Sequence, residues 1–164
     1  MLFAHLALEA KFILQIALAA LAGGFVGYNR QREDKPAGMR TFMLVCMGST
    51  LLTIVSVNYH LFIDNPVGAA IVPMQLASYA MLSIGFLGGG IISEKGGNVK
   101  GVTTAASVWV VAAIGVTIGF HMYILAGFVT LFEFIVVGIF WRVSDKINKS
   151  SRKKRSAFEH EDLP

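Results

Sequence analysis

The chain has 164 residues, 55% of them apolar and only 15% charged, with a formal net charge of +4. That balance is far from a soluble domain's, and the charges are clustered so that long stretches carry none. The lone cysteine, Cys46, excludes an intrachain disulfide and any multi-cysteine metal centre. Two basic runs, one from Arg30 to Arg40 and one from Arg152 to Arg155, each abut an apolar stretch. Next to such stretches they point to anionic lipid headgroups and membrane topology rather than to nucleic acid.

Five apolar stretches follow in chain order. The first runs from about Phe12 to Tyr28 and, with the residues before it, reaches the roughly 20 needed to cross a bilayer. It lacks the cationic start of a secretory signal and reads as a retained first helix. The polar segment Asn29–Arg40, with Pro36 and Gly38, ends it. The second stretch covers Thr41 to Val57, and Asn58–Gly68 forms a loop with a turn signal at Asn65-Pro66. The third covers Ala69 to Ile92, with Pro73 near its start, where a helix tolerates proline best. Ser93–Gly101 is a polar break, Val102–Gly119 the fourth stretch and Gly119–Ile124 a tight turn. The fifth stretch runs to Trp141, and a basic tail follows. The stretches are apolar all round, whereas buried helices of a soluble protein would alternate apolar and charged faces.

Thirteen of the fourteen Lys and Arg residues lie in the segments after the first and third stretches or in the tail; Lys11 is the exception. By the positive-inside rule this places the N-terminus outside and the tail in the cytoplasm. Tyr28 and Trp141 on one side, with Tyr59 and Tyr123 on the other, fit aromatic belts. The expectation is an all-α integral membrane protein of about five transmembrane helices. Residues 1–142 form the membrane domain, and residues 143–164 a disordered cytoplasmic tail.

Three stretches carry paired small residues, Gly23 with Gly27, Gly85 with Gly89, and Gly115 with Gly119. In lipid, close backbone approach through glycine supplies packing contacts. The expectation is packing within the bundle, with a dimer face as the alternative. Seven glycines fall between Gly85 and Gly101, without the context of a phosphate-cradling Walker-A or dinucleotide loop. Glycines there could also free backbone carbonyls where a membrane helix breaks.

Glu133 is the one ionisable residue deep inside an expected span. An intramembrane acid is costly and ordinarily faces the bundle interior, marking a pathway or relay. It reads either as a cation or proton ligand, or as a carboxyl kept protonated or hydrogen-bonded to Thr130 or another helix. Its own helix offers no charged partner. His5, His60 and His121 fall on the expected outer side without a metal-ligand spacing. Nothing resembles a nucleophile elbow, an HExxH zinc motif or paired carboxylates. Thr103 and Thr104 have no base near them in sequence, so no enzyme and no cofactor are expected.

The segments GYNRQREDKPAGMRT, SIGFLGGGII and GGNVKGVTTAASVWVVAAIGVTIG, in that order, resemble the motifs of the MgtC/SapB family. On this resemblance the motif positions are Asn29, Arg30, Gly38, Arg40 and Thr41 in the first segment. Gly85, Gly88 and Gly90 follow in the second, then Asn98, Gly101, Thr104, Ala105, Ala106 and Trp109 in the third. The chain departs from the pattern where Asn29 replaces a glutamate and where Val72 and Gln75 replace an aspartate and an arginine. The resemblance implies a five-span protein of the bacterial inner membrane, like the shorter SapB-type members without a C-terminal cytoplasmic domain. It implies a role in growth under magnesium limitation and in virulence, through regulation of other membrane complexes such as ATP synthase or transporters. The alternative is a magnesium or other cation transporter or channel. The implied partners are the bilayer, a second copy and other membrane complexes, with no nucleic acid.

Overall fold

A computed structural model describes residues 2–59, 73–95 and 97–138. The expected loop at Asn65-Pro66, together with His60, Val72, Trp141 and the whole of 143–164, lies outside the described residues. Among the described residues there are five helices and one short hairpin. They are α1 (Leu2–Arg32), α2 (Met39–Val57), α3 (Pro73–Ile91), β1 (Ser93–Lys95), β2 (Asn98–Lys100), α4 (Val102–Gly119) and α5 (Tyr123–Gly138).

Three of these helices, α1, α2 and α4, are long and apolar enough to cross a membrane. The described apolar parts of the other two are shorter, Ser78–Ile91 and Tyr123–Gly138. Each helix buries one stripe and exposes large apolar side chains elsewhere, as lipid-facing helices do. Leu82 and Phe86 on α3 and Ile124 and Phe128 on α5 are exposed.

α2 sits at the centre and packs most extensively on α1 and α4, and glycine explains how. A Cβ at Gly23 would run into the carbonyl of Phe42, and one at Gly27 into the backbone of Met39. On the other side, a Cβ at Gly115 would meet the Cys46 carbonyl, and one at Gly119 the Thr53 side chain. Two of the three glycine pairs therefore serve packing within the bundle. Among the described residues the third does not: a Cβ at Gly85 or Gly89 would meet none of them within 4 Å.

The joints differ from a plain reading of polar breaks. α1 continues as helix through Arg32 and so includes Asn29 and Arg30, which the sequence assigns to a loop. Pro36 and Gly38 come after its end, and Gly38 stands at the N-cap of α2. α3 stays helical through Gly88, Gly89 and Gly90, so this glycine run frees no backbone carbonyls by breaking the helix. The polar break after it is an antiparallel hairpin pairing Ser93 with Lys100, Glu94 with Val99 and Lys95 with Asn98. Gly101 then has φ +90, a left-handed conformation that glycine adopts without strain, and it lies against the Ile91 carbonyl. The turn between α4 and α5 is as expected, with His121 at φ 63.

Candidate functional site: a buried arginine and glutamate

The buried face of α1 is a helical row: Gln15, Ala19, Gly23, Val26 and Arg30, spaced four, four, three and four residues apart. Gly23 of this row, with Gly27 beside it, brings α1 against α2, and the row ends in a guanidinium directed into the bundle. Arg30 is only 1% exposed. Its Nη1 donates to the Ser107 hydroxyl at 3.2 Å, and its Nη2 donates to the Thr104 hydroxyl at 2.5 Å. The Phe42 ring lies 5.7 Å from Cζ and offers its face to the cation. Nε has no hydrogen-bond partner.

The neighbouring helix α5 contributes a row of Ala126, Thr130 and Glu133, all buried. Glu133 is 6% exposed, and neither of its carboxylate oxygens has a hydrogen-bond partner. The Thr130 hydroxyl does not supply one, because it donates to the Ala126 carbonyl at 2.7 Å. Arg30 lies within coulombic reach, and Ser107 stands beside the carboxylate. The Ser107 oxygen accepts from Arg30. The charged partner missing from α5 thus comes from α1, with the Ser107 side chain of α4 beside both. In a low-dielectric interior such a pair is worth keeping intact, since either charge alone would be left without compensation.

A second polar contact lies near the middle of α1. Gln15 is 1% exposed, and its Nε2 donates to the carbonyl of Ile118 at 2.8 Å, in the last turn of α4. The Ile118 carbonyl also accepts from the His121 N–H, just beyond the helix end, at 3.0 Å. Between the two polar contacts, the Thr50 hydroxyl donates to the carbonyls of Cys46 and Gly115, at 2.9 and 2.8 Å.

The motif residues divide into groups. Arg30 and Thr104 are bonded to each other, and Asn29 is half-buried with its amide nitrogen near Gly138. Gly88 packs on Ala105, Gly101 shapes the entry to α4 and Asn98 lies in β2. Arg40 and Trp109 are exposed, as are Gly85 and Gly90, and Thr41 is half-buried. Arg30 turns inward to α4 and shares a cavity wall with Val99 and Lys100 of β2, while Arg40 is exposed. Gln75 is exposed. Among the described residues no group of three His, Cys, Asp or Glu side chains comes together.

A family model described as "MgtC family" matches residues 16–146. The chain belongs to the MgtC family. It is similar to "Putative magnesium transporter YhiD" of Escherichia coli (strain K12), 36% identical over 85% of this chain and 65% of that protein. It is also similar to Protein SrpB of Synechococcus elongatus, 35% identical over 79% of this chain and 74% of SrpB. Protein MgtC of Brucella abortus (strain 2308) is 34% identical over 88% of this chain and 57% of its own length. The chain thus spans just under two thirds of YhiD and somewhat over half of MgtC. No solved structure matches it. Family membership and the three long apolar helices together mark it as a membrane protein.

Proposed function

We propose that this chain acts in adaptation to magnesium limitation, and in virulence, as a regulator that binds other membrane complexes through its helices. In this reading it has five spans in the bacterial inner membrane, with its N-terminus outside and its tail in the cytoplasm. It carries out no catalysis. The observation that carries the reading is the face of α3. The glycine pairs of α1 and α4 are consumed by α2, whereas Gly85 and Gly89 stand open beside Phe86, 89% exposed, and Leu82. A helix with small residues and an unfilled surface is suited to close approach by another helix. The test is photo-crosslinking in native membranes from a probe at Leu82 or Phe86. The reading expects a stoichiometric membrane partner, such as an ATP synthase subunit or a transporter, lost on Gly85→Ile without loss of the folded chain. Recovery of lipid adducts alone would reject it.

Orientation is checked separately. In a Cys46→Ser background, single cysteines at Lys95 and His121 should be labelled from the cytoplasmic and outer sides, respectively.

A second reading, transport of magnesium or another cation, is favoured by the two unpartnered oxygens of Glu133 and by the name that YhiD carries. A hard divalent cation wants several oxygen ligands, and here the carboxylate has a guanidinium as its neighbour. Flux into proteoliposomes holding only this protein decides between the two. Robust flux abolished by Glu133→Gln would establish transport and displace the regulatory reading.

A further inference from the structure

At the end of the bundle where α1 finishes, a cavity of about 750 Å³ opens between the turn after α1, strand β2, the start of α4 and the end of α5. Its walls carry Arg30, Lys35 and Lys100, with Glu33 and Asp34 on the turn and Thr103 on α4. We propose that this cavity is a binding site for a phosphate group, free or carried on a lipid headgroup.

The first turn of α4 carries the argument. α4 has 18 residues, and its N-cap is Gly101, which has no side chain to accept from the free N–H groups of that turn. An uncapped helix start presents several N–H donors and the positive end of the helix dipole, the arrangement that holds phosphates elsewhere. Here that start forms one wall of a cavity, where the chain lines it with Val102, Thr103 and Thr104. Independently, Arg30 lines the same space while almost fully buried, with Nε unpartnered. Its other two guanidinium nitrogens are tied to α4, one of them to Thr104 in that first turn. The guanidinium and the helix start are therefore held as one unit. Lys100, exposed at the end of β2, adds a cation at the mouth.

The acidic side chains limit which phosphate fits. Glu33 and Asp34 offset two of the three cations on the walls, and Glu133 faces Arg30 from the bundle side. Selection then rests on directed donors rather than on bulk positive charge. That suits a monoester or diester phosphate and disfavours a polyphosphate.

The full chain, purified in phosphate-free detergent, supplies the test. Inorganic phosphate and glycerol 3-phosphate are titrated against chloride at matched ionic strength, and phosphatidic acid is added against a neutral glycolipid. Melting temperature and the amide shifts of Val102, Thr103 and Thr104 are read in each case. A saturable rise in melting temperature, with shifts confined to that turn, supports the site. A response to the soluble phosphates marks a free-phosphate site, and a response to phosphatidic acid alone marks a headgroup site. Lys100→Gln, which lies outside the bundle core, should weaken either response several-fold while leaving the unliganded melting temperature unchanged. Equal stabilisation by chloride, an absent response in both arms, or shifts that ignore α4 would each overturn the proposal.

Discussion

Arg30 and Glu133 come within coulombic reach between the neighbouring helices α1 and α5 without sharing a hydrogen bond. The guanidinium spends its two terminal nitrogens on hydroxyls of α4, and the carboxylate is left with neither oxygen partnered. The two charges balance electrostatically, yet their positions are fixed by a third helix. α4 therefore decides how far apart they stand, and movement of α4 relative to α1 would alter the balance.

This arrangement predicts strong coupling. Arg30→Met leaves a buried carboxylate without its counter-charge and should cost about 3–5 kcal/mol. Glu133→Leu should cost a similar amount, and the double variant less than the two losses together. Unfolding in mixed micelles measures all three. Simple additivity would show that the two side chains act independently.

Thr104→Val removes one acceptor from a charged donor in a buried site. The expected loss is about 1.5–3 kcal/mol. Thr103→Val, one position away on an exposed part of the same turn, should stay near wild type. Equal losses for the two would show that the effect comes from the helix turn and not from the bond to Arg30.

Glycine substitutions should divide by helix. Gly115→Val drives side-chain atoms into the Cys46 carbonyl and should cost at least the roughly 1–3 kcal/mol of an overpacked core. Gly85→Ala meets open space and should be neutral, or stabilising by up to about 1 kcal/mol through helix propensity. Thermal unfolding of both variants checks the contrast, and a destabilised Gly85→Ala chain would contradict it.

Gln15→Leu removes the donor to the Ile118 carbonyl at the end of α4. A loss of about 1 kcal/mol is expected, with exchange protection falling first at the turn between α4 and α5. Unchanged protection there would show that α4 is closed without Gln15.

The long apolar runs made α1, α2 and α4 legible from sequence, because a helix in lipid must be apolar over its whole length. The family motifs identified Arg30 and Thr104 as residues of interest, and isolation within an apolar run identified Glu133. Their meeting was not legible. Arg30 and Glu133 are separated by most of the chain, and the basic cluster from Arg30 to Arg40 reads as a loop because its charges dominate its composition. A helical count would have corrected this. Arg30 falls seven residues after Gly23 and three after Gly27, on the same face of α1, so the glycine row that seats the helix also aims the arginine inward. Gln15 belongs to the same row, but an amide inside an apolar run carries no charge that marks it in the sequence. The short strands β1 and β2 are masked in the sequence by Gly96 and Gly97 between them, which read as a break.

The seating of both α1 and α4 on α2, in contact with each other, also bears on biogenesis. Helices leave the ribosome in chain order, but α2 finds its second extensive partner only when α4 arrives, after α3 has already been made. Until then the carbonyl of Cys46 and the side chain of Thr53 that receive Gly115 and Gly119 have no helix upon them. The newborn bundle must therefore hold a slot open past its third helix, and insertion factors or lipid would occupy it in the interval. A chain stalled before residue 102 should be the species most vulnerable to membrane proteases.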